Sequence, residues 1–312
     1  MKNLRVIFMG TPIFSKPILE MLIKETNVIM VVTQPDAIIG RKKELKPCPI
    51  KELALNNNIE VFSPLKIRNE YEPIINLKPD IIITCAYGQI IPKEILDCPK
   101  LGCINVHASL LPKLRGGAPI HHALIDGYKK TGITIMYMDE KMDNGDIISQ
   151  KEYIIKDSDN VGTLHDILSE MGKNLLLDAL PSIIDKTNQR IKQNENEVTF
   201  GFNIKREEEL IDFNDSSLNI YNKVRGLNPW PMAYTIINGE ETKILECKID
   251  NYQGKELPGT IIDINKDNFS VKTLDGKIIV TKLKPFGKKI MSTKDYLNGL
   301  KNKDSIKITP EV

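Results

Sequence analysis

The stretch CINVHASLLPKLRGGAPIHHA (residues 103–123) decides the fold of this chain and suggests where its functional site lies. It opens as a short apolar strand, passes into a loop containing Pro, Arg and two Gly, and continues as a helix. Asn105 and His107 stand two residues apart at the end of the strand, so their side chains point to the same face. Open α/β sheets bind ligands beyond the carboxyl ends of their strands. Both residues are therefore candidate functional residues.

Four apolar, β-branched runs recur in the first part of the chain, separated by about 20 residues or more, which is typical of parallel strands covered on both faces. These runs are LRVIFMG (4–10), VIMVVTQ (28–34), DIIITCAYG (80–88) and CINVH (103–107). Segments with helical spacing lie between them: residues 15–25, 49–57 and 64–77. The alternation predicts an α/β fold with a doubly wound, mostly parallel sheet.

The pattern changes after the quoted stretch. Two more strand-like runs (132–139 and 146–155) lead to a long helix at 163–185. A polar stretch with little periodicity follows, and from Pro231 onward short alternating runs with turn signals indicate a small antiparallel β domain, interpreted as a barrel. We predict three parts: an α/β domain over residues 1–188, a linker over 189–207 and the β domain over 208–312.

Charge is distributed unevenly along the 312 residues, although the net charge is only +2. Residues 1–204 carry 25 Lys/Arg and 25 Asp/Glu, whereas residues 242–303 carry 13 Lys and 7 Asp/Glu, a net of +6. A lysine-rich second domain is a candidate surface for a polyanion. A solvated face kept soluble by lysine explains the charge equally well.

Several classes of protein are excluded by missing motifs. The first βα turn, GTPIFSKP (10–17), lacks the G-x-G-x-x-G of dinucleotide-binding sheets, and no Walker A sequence occurs. The five cysteines show no C-x-x-C spacing, which argues against a zinc site or a disulfide framework, and Cys85 and Cys103 are interpreted as packed thiols. No signal peptide or membrane-spanning run is evident, so we expect a cytoplasmic protein.

The chemistry of the quoted stretch depends on three side chains together. His107 alone is weak evidence, because most histidines are structural. Asn105 shares its face, and MDNGD (142–146) supplies carboxylates in a second loop that follows a strand. Amide, imidazole and carboxylate can together stabilise an oxyanion and move protons. No strong nucleophile accompanies them, which favours direct transfer to an incoming nucleophile over covalent catalysis.

These motifs resemble those of a known family. CINVHASLLPKLRGGAPI together with MDNGD is similar to the 10-formyltetrahydrofolate-dependent formyltransferases, and the resemblance runs almost from end to end. TQPD (33–36) with the basic loop after it, and VRGLNPWPMA (224–233), resemble the members that formylate methionyl-tRNA. The resemblance implies a Rossmann-like formyltransferase fold followed by a small OB-like antiparallel β-barrel. It also implies that the formyl donor is 10-formyltetrahydrofolate, with no metal.

The resemblance assigns roles position by position. Asn105, His107 and Asp143 match the catalytic residues, and the resemblance implies that the amine attacks the formyl carbon. Asn105 and a protonated or hydrogen-bonding His107 then stabilise the oxyanion, while Asp143 orients or charges His107 and helps to move protons through a bound water. The implied folate-binding residues are Ser109, Leu110, Leu111, Pro112, Ala86, Tyr87, Gly88, Gln89, Ile90 and Asp139. The implied tRNA-binding residues are Arg41, Lys42 and Lys43. The implied partner is initiator methionyl-tRNA, and we expect a monomer.

Two rival hypotheses stay open at this point. One keeps the chemistry but changes the acceptor to a nucleotide-linked amino sugar or to glycinamide ribonucleotide. The other is a non-catalytic folate- or RNA-binding module that kept the fold. The chain also departs from the family pattern at Leu114, where an aromatic residue is usual, and at Gly117, where alanine is usual. We interpret Trp230 and the histidines at 121, 122 and 165 as structural.

Overall fold

The computed structural model describes residues 1–39, 44–302 and 306–308. The chain forms two compact units. The first comprises Met1–Pro119, Lys130–Ile154 and His165–Phe202, and the second comprises Ile120–Lys129, Ile155–Leu164 and Asn203–Val312. Within the described ranges, none of the helices combines the length and the apolar character that crossing a membrane requires.

The first 184 residues contain nine strands and six α-helices within the described ranges. The strands are β1 (Arg5–Gly10), β2 (Asn27–Val32), β3 (Ala37–Ile39), β4 (Glu44–Lys46), β5 (Val61–Phe62), β6 (Ile81–Cys85), β7 (Cys103–His107), β8 (Lys130–Tyr137) and β9 (Ile147–Ile154). The helices are α1 (Lys16–Glu25), α2 (Pro49–Asn56), α3 (Glu72–Asn76), α4 (Lys93–Leu96), α5 (Pro119–Ile125) and α6 (Val161–Ile184).

Seven of these strands form one sheet in the order β5-β2-β1-β6-β7-β8-β9. The five strands from β5 to β7 run parallel, whereas β8 and β9 are antiparallel to their neighbours. β6 is buried along its whole length because both faces of the parallel part are covered. The predicted doubly wound, mostly parallel sheet is therefore confirmed.

The structure differs from the sequence interpretation in two segments of this unit. Residues 64–77 were predicted as one helix but form a 3-10 helix (Ile67–Asn69) followed by the short α3. Pro73 lies in the first turn of α3, where proline is tolerated because that turn needs no amide donor. The predicted basic loop over 37–46 contains the antiparallel pair β3–β4.

The second unit contains α7 (Ser217–Gly226) and α8 (Thr293–Asn298) beside an antiparallel sheet. Its strands are β10 (Ala233–Ile237), β11 (Glu240–Asp250), β12 (Ile261–Ile264), β13 (Phe269–Lys272), β14 (Lys277–Pro285) and β15 (Met291–Ser292). They are ordered β10-β11-β14-β13-β12, with β15 paired to β14. Ile220 and Val224 of α7 pack on Leu283 and other core residues of the sheet. The predicted antiparallel second domain is confirmed.

The sheet of the first unit positions the candidate residues. Thr84 of β6 lies opposite Asn105 of β7, and His107 lies opposite Thr134 of β8. The loops that leave β1, β2, β6 and β7 follow the carboxyl ends of parallel strands, so they meet at the same edge of the sheet. Residues 189–202 belong to the first unit. The predicted division at 188 and 208 stays a prediction.

Candidate active site

Asn105 and His107 project together from the end of β7, as the strand period requires. His107 is 6% exposed, and Asn105 is partly buried. Asp143, in the loop between β8 and β9, approaches both. Its Oδ1 lies 3.6 Å from His107 Nδ1 and 3.4 Å from the Asn105 amide nitrogen, which donates to it. The structure therefore brings the three predicted catalytic side chains together.

Asp143 occupies an unusual backbone conformation. Its φ is +51°, in the left-handed region that costs a non-glycine residue about 1 kcal/mol or more. Its Oδ2 accepts a hydrogen bond of 2.8 Å from the backbone amide of Gly116. The loop after β7 thus holds one carboxylate oxygen, and the other oxygen faces His107. The strained backbone and the amide bond together aim the carboxylate at the imidazole.

Thr84 and Asp143 together orient the Asn105 side chain. The Thr84 hydroxyl is buried and lies 2.9 Å from Asn105 Oδ1, to which it donates. Because the Asp143 carboxylate can only accept, it requires the NH₂ end of the Asn105 amide, and the amide oxygen is left to accept from Thr84. An amide nitrogen held in this way can donate to an oxyanion that develops beside it.

His107 has an oxygen acceptor at each ring nitrogen. Nε2 lies 3.0 Å from the carbonyl oxygen of Leu114, and Nδ1 faces Asp143. An imidazole protonated on both nitrogens can donate to both oxygens, whereas a neutral ring can donate to only one. Leu114 has φ +59° and is buried, which turns its carbonyl toward the ring. Both ring nitrogens therefore have an oxygen partner, and the ring is held beside Asn105.

The loop that follows β7 is held by the neighbouring strands. The Thr134 hydroxyl donates to the Ser109 carbonyl (2.7 Å) and accepts from the Leu111 amide (3.1 Å). Gln150 of β9 donates to both the Leu111 carbonyl and the Thr134 hydroxyl. Ser109 and Leu111 are buried, while Leu110 and Pro112 are partly exposed. The predicted folate-binding residues of this loop therefore lie on a rigid support beside His107.

The segment after β6 carries the other predicted folate-binding residues. Ala86 (φ +49°) and Gly88 (φ +89°) are exposed, and Ile90 is 72% exposed. Tyr87 is buried, and this burial raises the pKa of its phenol. The Tyr87 carbonyl accepts a hydrogen bond of 2.9 Å from the Gln34 side-chain amide. The side-chain oxygen of Gln34 in turn accepts a hydrogen bond from the Gln89 side chain. These bonds join the segment to TQPD.

The remaining predicted residues divide into two groups. Asp139 is exposed, and its carboxylate accepts from the Lys141 amide (2.9 Å) and from the Asn144 side chain (2.7 Å), so it shapes the turn that leads to Asp143. The predicted tRNA-binding residues Arg41, Lys42 and Lys43 lie outside the described residues.

Buried thiols near the site are structural. Cys85 is the last residue of β6, and burial raises the pKa of its thiol to about 12. Burial likewise raises the pKa of Cys103. The prediction of packed thiols is confirmed for both residues. In the part of the chain that the structure describes, no group of three His, Cys, Asp or Glu side chains could hold a metal ion.

Sequence reasoning missed the residues that support the site: Thr84, Thr134, Arg115 and Gln193. Arg115 is 5% exposed, and its guanidinium donates to the side chains of Gln193 and Glu195. Gln193 lies in the polar segment that was predicted as a linker. No periodicity could reveal these residues, because each partner is far away in the sequence.

Comparisons with known proteins agree with this geometry. A formyl transferase family model matches residues 2–180, and a model described as the C-terminal domain of formyl transferases matches residues 203–301. The chain is 51% identical over 299 residues to a methionyl-tRNA formyltransferase of Bacillus subtilis, covering 95% of this chain and 94% of the relative. A Staphylococcus epidermidis protein of the same name is 51% identical over 300 residues, covering 95% and 96%.

Solved structures show the same fold at lower identity. WlaRD, a sugar 3N-formyltransferase, aligns with a TM-score of 0.65 and 20% identity over 93% of this chain and all of that chain. HypX from Aquifex aeolicus in complex with tetrahydrofolic acid gives a TM-score of 0.62 and 16% identity over 95% of this chain and 47% of that chain.

The sheet, the two matched domains and the Asn–His–Asp arrangement define a formyltransferase. At about half identity over nearly the full length of its relatives, the chain belongs to the methionyl-tRNA formyltransferase family.

Proposed function

We propose that this chain transfers the formyl group of 10-formyltetrahydrofolate to the free α-amino group of methionine on initiator methionyl-tRNA, for translation initiation. The observation that carries the proposal is the convergence of Asn105, His107 and Asp143 at the carboxyl end of β7, within 3.6 Å of one another through Asp143 Oδ1. The identity to relatives with this name, over 95% of the chain, supports the choice of acceptor.

The proposed mechanism begins with attack by the unprotonated amine on the formyl carbon. As the carbon becomes tetrahedral, negative charge develops on the formyl oxygen. Asn105 donates to this oxyanion from its amide NH₂, and His107 stabilises it, either protonated or as a hydrogen-bond donor. Asp143 orients the imidazole through Nδ1. Each contact strengthens as the charge develops, so it favours the transition state over the substrate.

Proton transfer completes the reaction. The attacking nitrogen must lose a proton, and N10 of the folate must gain one as the bond between the formyl carbon and N10 breaks. We propose that Asp143 helps to move this proton through a bound water, as the family resemblance implies. No bond to the protein forms, which agrees with the lack of an activated nucleophile in the sequence motifs.

The residues around the site fit a flat, partly polar donor such as a pterin. The segment 86–90 offers exposed backbone at Ala86 and Gly88, and the exposed apolar side chain of Ile90. Leu110 and Pro112 add a partly exposed apolar surface on the other loop. Backbone donors and acceptors with apolar walls are the usual composition of such pockets. We propose these residues, with Ser109, Leu111, Tyr87, Gln89 and Asp139, as the folate site.

For tRNA we propose two contact regions. Arg41, Lys42 and Lys43 supply a basic segment directly after TQPD, and an arginine can bind phosphates and base edges with its planar fork. In the second unit, several lysines are already paired: Lys277 with Asp250 and Asp263, and Lys282 with Glu246. The turn after β14 instead exposes Lys288 and Lys289 beside Phe286, which is 71% exposed.

The turn after β14 can be tested in the full-length chain. Replacing Lys288 and Lys289 by alanine should weaken tRNA binding and lower the slope of log affinity against log salt by roughly 1 to 2. The double replacement of Lys255 and Lys266 removes the same charge elsewhere in the second unit and serves as the control. Equal slopes for both variants and the wild type would count against this contact.

The activity itself is tested by transfer of labelled formyl from 10-formyltetrahydrofolate to methionyl-tRNA. Free methionine, uncharged tRNA and a nucleotide-linked amino sugar serve as alternative acceptors. We expect transfer to methionyl-tRNA alone, with a His107→Ala variant at least about 100-fold slower while its folate binding is kept. Transfer to the amino sugar instead, or binding without transfer, would support a rival hypothesis.

We further propose that the protein works as a monomer in the bacterial cytoplasm. The support is that its relatives come from bacteria and that charged tRNA is used where translation takes place. Light scattering at micromolar concentration measures the mass directly. A mass near 35.3 kDa is the expected result.

A further inference from the structure

A polar segment, residues 189–202, runs along the two loops that carry the catalytic side chains. At one end, Ile191 and Ile147 exchange backbone hydrogen bonds of 2.8 and 2.9 Å at the start of β9. At the other end, Arg115 donates to the Thr199 carbonyl and accepts from the Gly201 amide. The segment therefore connects the loop after β7 to the strand that follows the Asp143 loop.

Gln193 lies between these two attachments, and every donor and acceptor of its side-chain amide forms a hydrogen bond. Its Nε2 donates to the carbonyl oxygens of Asp143 (2.8 Å) and Gly145 (2.9 Å). Its Oε1 accepts from Arg115 through Nε (3.1 Å) and Nη2 (2.8 Å). A primary amide has two donor hydrogens and two acceptor positions, so all four are occupied. Both donor bonds end on the turn that carries the catalytic carboxylate.

Arg115 determines which way the Gln193 amide points. A guanidinium has only donors, so only the amide oxygen can face it, and the NH₂ must then face Asp143 and Gly145. Arg115 is itself buried and also pairs with Glu195 at 2.8 Å. The orientation of Gln193 is thus fixed by charge. The turn receives two hydrogen bonds that a glutamate in the same place could not supply.

The turn needs such support because Asp143 has a positive φ and must aim its carboxylate at His107. Gly116 holds the carboxylate from one side, and Gln193 holds the main chain of the same residue from the other. We propose that Gln193 is a positioning residue for Asp143, with Arg115 as its support. This inference rests on the proposed function, since it assigns Gln193 a part in the same transfer reaction.

The test compares Gln193→Glu with Glu195→Gln in the full-length enzyme. Gln193→Glu keeps an acceptor for Arg115 but replaces the donor with an oxygen that repels both carbonyls. We expect kcat to fall about 10- to 100-fold, with the KM for methionyl-tRNA and for the folate changed less than about threefold. Glu195→Gln alters the other partner of Arg115 and leaves the Gln193 bonds intact. Its kcat should stay within about twofold of the wild type.

A double-mutant cycle shows whether Gln193 acts through Asp143. In an Asp143→Asn background, adding Gln193→Glu should change kcat less than about twofold, because the positioned carboxylate is already lost. A loss equal to that seen in the wild-type background would overturn the proposal, as would a Gln193→Glu enzyme with normal kcat. If Gln193→Glu does not fold, Gln193→Ala takes its place in the cycle with the same expected and contrary results.

A spectroscopic readout separates this inference from the proposed function. The chain has four histidines, so the ring carbon–proton signal of His107 can be identified by substitution in a ¹H–¹³C spectrum. At fixed pH and without substrates, Gln193→Ala should shift the His107 signal, and Glu195→Gln should leave it unchanged. An unchanged signal in Gln193→Ala would refute the positioning role. Failure of the wild type to formylate methionyl-tRNA would refute only the proposed function.

Discussion

The Asn105 amide is held at both ends, because Thr84 donates to its oxygen at 2.9 Å and Asp143 accepts from its NH₂ at 3.4 Å. In Thr84→Val the oxygen loses its partner, and the amide is held only by the longer hydrogen bond to Asp143. The NH₂ is then less precisely placed to donate to the developing oxyanion. We expect kcat to fall roughly 3- to 10-fold with KM nearly unchanged.

A matched control for this variant lies in β8. Thr131 is also buried, but its hydroxyl has no hydrogen-bond partner among the described residues. Thr131→Val makes the same chemical change and should leave kcat within about twofold of the wild type. Steady-state kinetics on both variants gives the comparison. Equal losses in the two would mean that Thr84 contributes only to packing.

At this scale the sequence identified the chemistry but not its support. Asn105 and His107 were predicted from their shared face at the end of a strand, the resemblance singled out Asp143 in MDNGD, and the structure places the three together. Gln193 could not be predicted in the same way. It is separated from Asp143 by 50 residues, and a glutamine in a polar segment looks like any solvated side chain. Hydrogen bonds between distant residues leave no periodic signal in one sequence.

Two strands, β8 and β9, hold the loop that follows β7. Thr134 satisfies the Leu111 amide and the Ser109 carbonyl, and it is fully buried. In Thr134→Val both backbone groups lose a partner, at a cost of about 1 to 3 kcal/mol. We expect a lower unfolding free energy and folate binding weaker by roughly tenfold, measured by urea unfolding and by titration with a folate. Thr131→Val on the same strand is the control, and unchanged folate affinity in Thr134→Val would contradict the support role.

The amino end of α7 is capped from the β13–β14 turn. Asp275 Oδ1 accepts a hydrogen bond of 2.8 Å from the Ser217 backbone amide. This hydrogen bond lowers the pKa of Asp275 below its ordinary value of 3.8. A carboxylate at a helix amino terminus also interacts favourably with the helix dipole. Because the pKa of Asp275 is lowered in the folded state, its carboxylate stabilises the fold at pH values above the ordinary pKa. This stabilisation is lost as the pH falls through the lowered pKa.

Asp275→Asn should therefore destabilise the second unit by about 0.5 to 1 kcal/mol at neutral pH. The difference from the wild type should vanish as the pH falls below the lowered pKa of Asp275. Trp230, the only tryptophan, belongs to the second unit, so its fluorescence during urea unfolding reports on that unit. Asp267→Asn removes another exposed carboxylate, which lies in the β12–β13 turn and pairs with Lys294 at 3.6 Å, and serves as the control. A constant difference at all pH values would argue against the charge-dependent cap.

Elements were predictable where a long apolar pattern decides them. The four strands β1, β2, β6 and β7 follow continuous β-branched runs, and α1 and α6 follow helical spacing. The prediction failed where an element is too short for a period to be recognised. β5 has two residues, and the 3-10 helix before α3 has three. Such pieces are set by tertiary packing more than by local preference.

At the scale of the whole chain, the second unit is not one continuous segment. It includes Ile120–Lys129 and Ile155–Leu164 besides the C-terminal part from Asn203. Ile125 packs against the hydrophobic core of this unit. The Tyr221 hydroxyl donates to the Asp157 carbonyl (2.7 Å), and Arg225 donates to the Lys156 carbonyl (3.1 Å). Contacts between segments that are distant in the sequence leave no signal in composition, so this interleaving could not be predicted from the sequence.

A fragment of residues 203–312 should therefore be less stable than the same region within the full chain. It lacks the contacts of Ile125, which is partly buried against this core and so contributes less than the roughly 1.5 to 3 kcal/mol of a fully buried side chain. The fragment also lacks the backbone carbonyls of Asp157 and Lys156, which accept hydrogen bonds from Tyr221 and Arg225. We expect a lower urea midpoint by Trp230 fluorescence and circular dichroism, or no cooperative transition. Ile125→Ala in the full chain should reproduce part of the loss without cutting the chain. If the fragment unfolds at the same midpoint as the second unit of the full-length protein, the two inserted segments contribute nothing to its stability, and the unit is a separable domain.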